Sequence, residues 1–96
     1  MIRSFASKTA QDVYDGTNSR RARRLPRELH PKAQRLLDQV NAAPHLEMLR
    51  VPPGNRLEKL SGDLSELWSL RINDQWRLLF HWVDGDAFDV DLVDYH

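Results

Sequence analysis

Cysteine is absent from the 96 residues, aromatic side chains make up only 8%, and glycine appears four times. Without cysteine there is no disulfide framework, no thiolate metal site and no cysteine nucleophile, so secreted stapled folds and zinc ribbons are excluded together. No apolar run approaches the roughly 18 residues that a membrane span needs. Residues 1–5 read as a strand without the apolar core of a signal peptide, so a soluble protein of the reducing cytoplasm is expected, with no membrane partner. Gly54 and Gly62 are isolated, and neither follows a strand into a helix, so no phosphate loop and no nucleotide cofactor is indicated. His30, His45, His81 and His96 stand at irregular separations, and no metal centre is expected. A chain of this length buries about 60 to 70% of the surface it exposes when unfolded. One domain over residues 1–96, with any chemistry on an open cleft, follows.

The zero net charge conceals a division. Residues 1–48 carry nine basic and five acidic side chains, a balance of +4, and residues 49–96 carry five basic and nine acidic, a balance of −4. Basic density peaks at Arg20, Arg21, Arg23, Arg24, Arg27, Lys32 and Arg35, opposed within that stretch only by Glu28. Such a block is commonly a solvated face. The dominance of arginine, whose planar fork suits phosphate and carboxylate oxygens, points instead to an anionic partner, either nucleic acid or an acidic protein.

The order of elements is legible from periodicity. Alternation in residues 2–5 suggests a short strand. Ser7 can cap a helix that runs to about Asp15 and closes at Gly16, with Ala10, Val13 and Tyr14 on one stripe. A second helix runs from Pro26 or Pro31 to Ala43, with Ala33, Leu36, Leu37 and Val40 on its apolar face, and the two stripes imply a helical hairpin. Pro44 stops that helix, residues 45–49 can add a turn, and residues 52–55 form a loop. The period then changes from 3.6 to 2. Residues 67–72, 76–83 and 88–93 read as three strands, with turns at Asn73-Asp74-Gln75 and Asp84-Gly85-Asp86. Phe88, Val90 and Leu92 are expected on one face of the last strand. The fold class is α+β: an N-terminal strand and two helices packed on an antiparallel sheet that a C-terminal three-strand meander completes.

One cluster carries possible chemistry: Arg71 and Arg77 on the central strands, Asp94, Tyr95 and His96 at the C-terminal end, and Asn55, Arg56 and Lys59 in the preceding loop. RNA cleavage needs a base for the ribose 2′-OH, cationic groups for the crowded phosphate charge and a proton for the 5′-oxygen, with no metal. Each residue also has a mundane reading: a solvated terminal His, Tyr95 as a lid on the core, Arg71 and Arg77 as outward strand residues. Composition alone gives a basic cleft and no reaction.

The motifs carry more. Arg50-Val51-Pro52-Pro53-Gly54-Asn55-Arg56-Leu57-Glu58, then Leu60-Ser61-Gly62-Asp63, then Arg71-Ile72-Asn73-Asp74-Gln75-Trp76-Arg77 and the terminal Val93-Asp94-Tyr95-His96 resemble the HigB toxins of the RelE/ParE superfamily of type II toxin-antitoxin systems. The resemblance covers nearly the whole chain. It implies a RelE-like fold and a ribosome-dependent mRNA endonuclease that cuts in the ribosomal A site, leaves a 2′,3′-cyclic phosphate and uses no cofactor. It also implies neutralisation by a HigA-like helix-turn-helix antitoxin, with operator DNA bound only through the toxin-antitoxin complex. Carried over by position, the resemblance makes Arg77, Asp94, Tyr95 and His96 the catalytic set: Arg77 for phosphate charge, Tyr95 for stacking, His96 for proton transfer and Asp94 to orient it or join in. Arg56, Lys59 and Arg71 would bind substrate. Arg20, Arg21, Arg23, Arg24, Arg27 and Arg35 would form a face for ribosomal RNA or for an acidic antitoxin segment. Some members have a lysine before the Gly-Asp pair where this chain has Ser61, so a cation used there is missing. Two other readings stay open at this point: a ParE-like gyrase inhibitor, and a non-catalytic RNA- or ribosome-binding module.

Overall fold

The computed structural model describes residues 1–64 and 66–95. Two α-helices, α1 (Lys8–Asp15) and α2 (His30–Ala42), precede four strands, β1 (Glu58–Lys59), β2 (Trp68–Arg71), β3 (Trp76–Val83) and β4 (Asp86–Asp94). The strands form one antiparallel sheet in the order β1-β2-β3-β4. The helices pack on each other, and α1 and α2 both reach β4.

Local chemistry explains the boundaries. Ser7 caps α1 by accepting from the Ala10 amide at 3.1 Å, and Gly16 ends it in the left-handed region at φ 74°. Ala10 and Val13 are buried as expected, while Tyr14 is half-buried against Phe5, with ring centroids 5.7 Å apart. Pro26 does not begin α2. It precedes a 3₁₀ turn over Arg27–Leu29, and Pro31, near the true helix start, supplies the fixed φ tolerated in a first turn. Ala33, Leu36, Leu37 and Val40 are fully buried and meet Leu70, Leu78 and Phe80 of the sheet in one core.

The meander follows the expected alternation on β2 and β3, but β4 departs from it. Leu79 pairs with Asp91 and His81 pairs with Phe88, so β4 holds one extra residue across that interval. Asp89 takes φ 53° there, the geometry of a β-bulge. The bulge reverses the facing of the strand before it. Ala87 enters the core beside Val90 and Leu92, and Phe88, expected with them, lies half-buried on the other face opposite His81.

The N-terminal strand is likewise reduced. Residues 2 and 5 make two isolated parallel bridges, Ile2 with Ala87 and Phe5 with Val90. Between them the Asp89 amide donates to Ser4 Oγ at 2.8 Å in place of a backbone carbonyl, and the ladder breaks at the bulge. The fourth strand of the sheet is instead β1, on the opposite edge, which two exposed residues after a Pro-rich loop could not announce by periodicity. That loop is held from within. Asn55 is fully buried, and its amide donates to Gln39 Oε1 at 3.1 Å and to the Leu49 and Val51 carbonyls at 3.2 Å each.

Candidate active site

The turn between β2 and β3 builds the site. Asn73 Oδ1 accepts from the Gln75 amide at 2.9 Å and the Trp76 amide at 2.7 Å, closing the turn with a side chain that mimics backbone. On the strands that leave it, Arg71 and Arg77 occupy directly opposed positions on the same face. The Arg71 guanidinium donates to the Asp74 carboxylate, and the Arg77 guanidinium to the Asn73 and Trp76 carbonyls. Arg77 also lies 5.7 Å from the centroid of the Tyr95 ring, which is 41% exposed. A cation and an open aromatic face thus adjoin, the combination that binds a base and its phosphate together.

Asp74 reports the field. The hydrogen bond and charge of Arg71 hold its carboxyl below the ordinary carboxylate range, and Arg77 and Arg56 add to the effect. Arg56, at φ 48° just after the buried Asn55, contributes to this field. Lys32 joins it from α2: partial burial and then the charges of Arg71 and Arg35 depress its pKa. Sequence reasoning placed Lys32 within the basic block but assigned it no site. The signal available was only its position one turn before Arg35, and which part of the sheet that turn faces is a tertiary fact.

Two expected members are elsewhere. Asp94 pairs with Trp76, on the face opposite Arg77, and accepts from Gln75 Nε2 at 2.9 Å. The Gln75 carbonyl in turn accepts from the Tyr95 amide at 2.6 Å, so one residue clasps both. Lys59 pairs with Trp68 and lies 5.8 Å from the centroid of that ring, again on the face away from Arg71 and Arg77. His96 lies outside the described residues.

The arginine block is not one helical face. Arg20, Arg21, Arg23, Arg24 and Arg27 are exposed along the connector, where Ala22–Arg24 and Arg27–Leu29 form 3₁₀ turns. Among the described residues none of these five is in an ion pair within 4.0 Å. Arg24 borders a cleft of about 310 Å³ with Trp76 and Asp94, and Arg23 and Arg27 border another of about 280 Å³ at the end of α1. Arg35 stands apart from all of them, on α2, donating to Asn55 Oδ1 at 3.4 Å. Among the described residues no group of three or more His, Asp or Glu side chains is placed to hold a metal ion, and no helix is long and apolar enough to cross a membrane.

Two helices laid on an antiparallel meander, with an arginine and a tyrosine meeting at its end, define the architecture of a RelE-like toxin. The fold is similar to that of the YoeB-YefM complex from Staphylococcus aureus, with a TM-score of 0.62 at 21% identity over 100% of this chain and 98% of that one. YafQ from E. coli strain BL21(DE3) matches at a TM-score of 0.57 and 15% identity, over 98% of this chain and 91% of that one. The family described as the HigB-like toxin, a RelE-like toxin of the type II toxin-antitoxin system HigB, matches residues 3–96. The chain belongs to that family and is the toxin of a type II toxin-antitoxin system. Toxin HigB-1 of Vibrio cholerae serotype O1 is 38% identical over 89 residues, which is 93% of this chain and 92% of that protein. Endoribonuclease HigB of Proteus vulgaris is 37% identical over 41 residues, 43% of this chain and 45% of that protein.

Proposed function

We propose that this toxin is a metal-independent endoribonuclease that cuts mRNA in the ribosomal A site and so arrests translation. The observation that carries the reading is the contact of Arg77 with the exposed Tyr95 ring, set directly across from Arg71. In the reaction the 2′-oxygen forms a bond to the adjacent phosphorus as its proton leaves, and the bond from phosphorus to the 5′-oxygen breaks as that oxygen gains a proton. A 2′,3′-cyclic phosphate and a 5′-hydroxyl result. Charge accumulates on the phosphoryl oxygens, where a fixed guanidinium stabilises the transition state more than the ground state. Arg77 takes that role, Tyr95 stacks on the base, and Arg71 and Arg56 hold the flanking backbone. His96 is the proton carrier, an assignment that rests on the family resemblance. Asp94 positions it: its contact with Gln75, which also holds the Tyr95 amide, fixes the end of β4.

The exposed arginines of the connector engage ribosomal RNA through its backbone, a sequence-independent and salt-sensitive attachment. The cellular partner is a HigA-like helix-turn-helix antitoxin, through which the complex reaches operator DNA, and the site of action is the cytoplasm. The name of the relative from Proteus vulgaris supports the ribonuclease reading.

The test is to add the purified protein to translating ribosomes and map mRNA ends. Breaks at A-site codons are expected, with the rate lowered about 10²- to 10³-fold in Arg77→Ala, the loss typical of one preorganised charge-stabilising donor. Deleting His96 should reduce cutting as severely. Undiminished breaks from both variants would refute the catalytic set, and DNA damage through gyrase with intact mRNA would establish the gyrase-inhibitor alternative.

A further inference from the structure

The cations at the β2–β3 turn outnumber what the turn needs. Arg71 has its one carboxylate, Asp74, which is 97% exposed. Among the described residues, Lys32, Arg35, Arg56 and Arg77 have no ion-pair partner within 4.0 Å. Lys32 and Arg35 sit three residues apart on α2, neighbours on one face, where like charges disfavour the helix. Both have contacts on the protein, although Arg35 is exposed. Lys32 is half-buried, and Arg35 reaches the fully buried Asn55, whose chain neighbour is Arg56. The Pro53–Asn55 turn packs on β2, which brings this group to the Arg71 side of the Arg71–Arg77 pair, while Tyr95 lies against Arg77. Tyr95, Arg77 and Arg71 adjoin in series, and the charge of Arg71 is felt at Lys32 on α2, where the track continues.

We infer that Lys32 and Arg35, together with Arg56, form a second phosphate position adjoining the Arg77 site, so that the cleft holds a single-stranded RNA backbone across at least two consecutive phosphates. The inference rests on the ribonuclease reading and extends its binding residues from the sheet to α2, with a mononucleotide too short to reach both. An acidic peptide could satisfy the charges alone. RNA is favoured because the track ends on an exposed aromatic ring beside a guanidinium, which gives a base somewhere to stack.

The experiment measures binding of the full chain to 2′-O-methyl oligonucleotides, which cannot be cut, from two to eight nucleotides long and at several salt concentrations. Wild-type affinity should rise with length beyond the dinucleotide. Lys32→Gln/Arg35→Gln should weaken the longer ligands about tenfold and reduce the slope of log K against log salt by about 1.4, since each cation on a single strand contributes roughly 0.7. The charge-matched Arg3→Gln/Lys8→Gln should leave both unchanged, and thermal melts of all variants confirm folding. Equal affinity and slope in wild type and Lys32→Gln/Arg35→Gln would overturn the inference, as would an equal loss in the control pair, or binding of polyglutamate in preference to RNA. If the wild type binds through these residues yet cuts no mRNA, the ribonuclease reading fails and the phosphate track stands. If it cuts and the α2 variant binds as wild type does, the track fails and the reading stands.

Discussion

Arg71 and Arg77 face each other across β2 and β3, two like charges at directly opposed positions, and each folds its guanidinium back onto the turn that joins the strands. Opposed like charges disfavour pairing. Here the turn supplies the missing acceptors, the Asp74 carboxylate for Arg71 and two carbonyls for Arg77. The free protein thus keeps its site in order by lending it oxygens of its own.

On the proposed ribonuclease reading, Asp74 competes with RNA for Arg71. Replacing it, Asp74→Asn, should free Arg71 and tighten oligonucleotide binding about two- to fivefold, in keeping with the small worth of an exposed ion pair. Because Arg71 holds this carboxyl below the ordinary range, Asp74 stays charged as pH falls through the region where most carboxylates protonate. The advantage of the variant should therefore persist from neutral pH down past about 4. Weaker binding by Asp74→Asn at pH 7 would show that Asp74 orients Arg71 and does not compete for it.

Tyr95 separates stacking from hydrogen bonding. Its ring lies against Arg77 and its face is open. Tyr95→Ala should cost about 1–3 kcal/mol of RNA binding, roughly 5- to 150-fold, whereas Tyr95→Phe should retain most of it. Equal losses in both variants would assign the role to the hydroxyl.

How far the sequence reveals this arrangement depends on the range of the signal. Periodicity located α1, β2 and β3 closely because their buried stripes repeat within a few residues, as with Leu70 opposite Leu78. It failed at Phe88, since one inserted residue at Asp89 shifts the phase, and only the paired strand reveals an insertion. The same limit applies to the site. Arg77 and Tyr95 were identifiable by their motifs, and Asp94 with them. Alternation along β4 then puts adjacent residues on opposite faces, which carries Asp94 away from Arg77 while Tyr95 stays beside it. Lys32 lies on α2, and that the charge of Arg71 reaches it is a fact of the tertiary structure which no local spacing shows.

Asn55 was grouped with the functional cluster by its position before Arg56, and the structure shows it at the centre of the loop. It is fully buried and donates to Gln39 and to the Leu49 and Val51 carbonyls. Asn55→Ala leaves the buried Leu49 carbonyl unmet, while the Val51 carbonyl keeps Gln39 Nε2 at 2.6 Å, and should cost about 1–3 kcal/mol. For a domain of this size the melting temperature should fall by roughly 4–24 °C. A melt within two or three degrees of wild type would mean that water substitutes freely for the amide.

The N-terminal segment is tied down electrostatically at Asp86, which meets the Met1 amino group at 3.3 Å and Arg3 Nε at 3.1 Å. The Arg3 hydrogen bond, followed by that of the N-terminus, holds the carboxyl below its ordinary value. A carboxyl lowered in the folded state stabilises above its unfolded pKa of about 3.9, and that contribution is lost as pH falls through the folded value. Asp86→Asn should melt below wild type at pH 7, and the gap should close as pH is taken down through that window. A gap of constant size at every pH would attribute the effect to packing.

The bulge at Asp89 decides which side of β4 enters the core, and its backbone makes it testable. At φ 53° an L-residue with a branched β-carbon is strained, whereas glycine is not. Asp89→Gly and Asp89→Val both lose the carboxylate contacts with Ser4 and His81, so the difference between them isolates the backbone. Valine should be less stable than glycine by about 1–2 kcal/mol, which is roughly 4–16 °C in melting temperature. Equal melts would mean that valine flattens the strand without cost. A flattened strand would have to put Phe88 where Ala87 now sits, fully buried against the sheet's own core. That exchange of a methyl for a benzyl group in a filled core is itself unfavourable. The bulge is thus held from two sides, by the left-handed residue that forms it and by the small side chain that it turns inward.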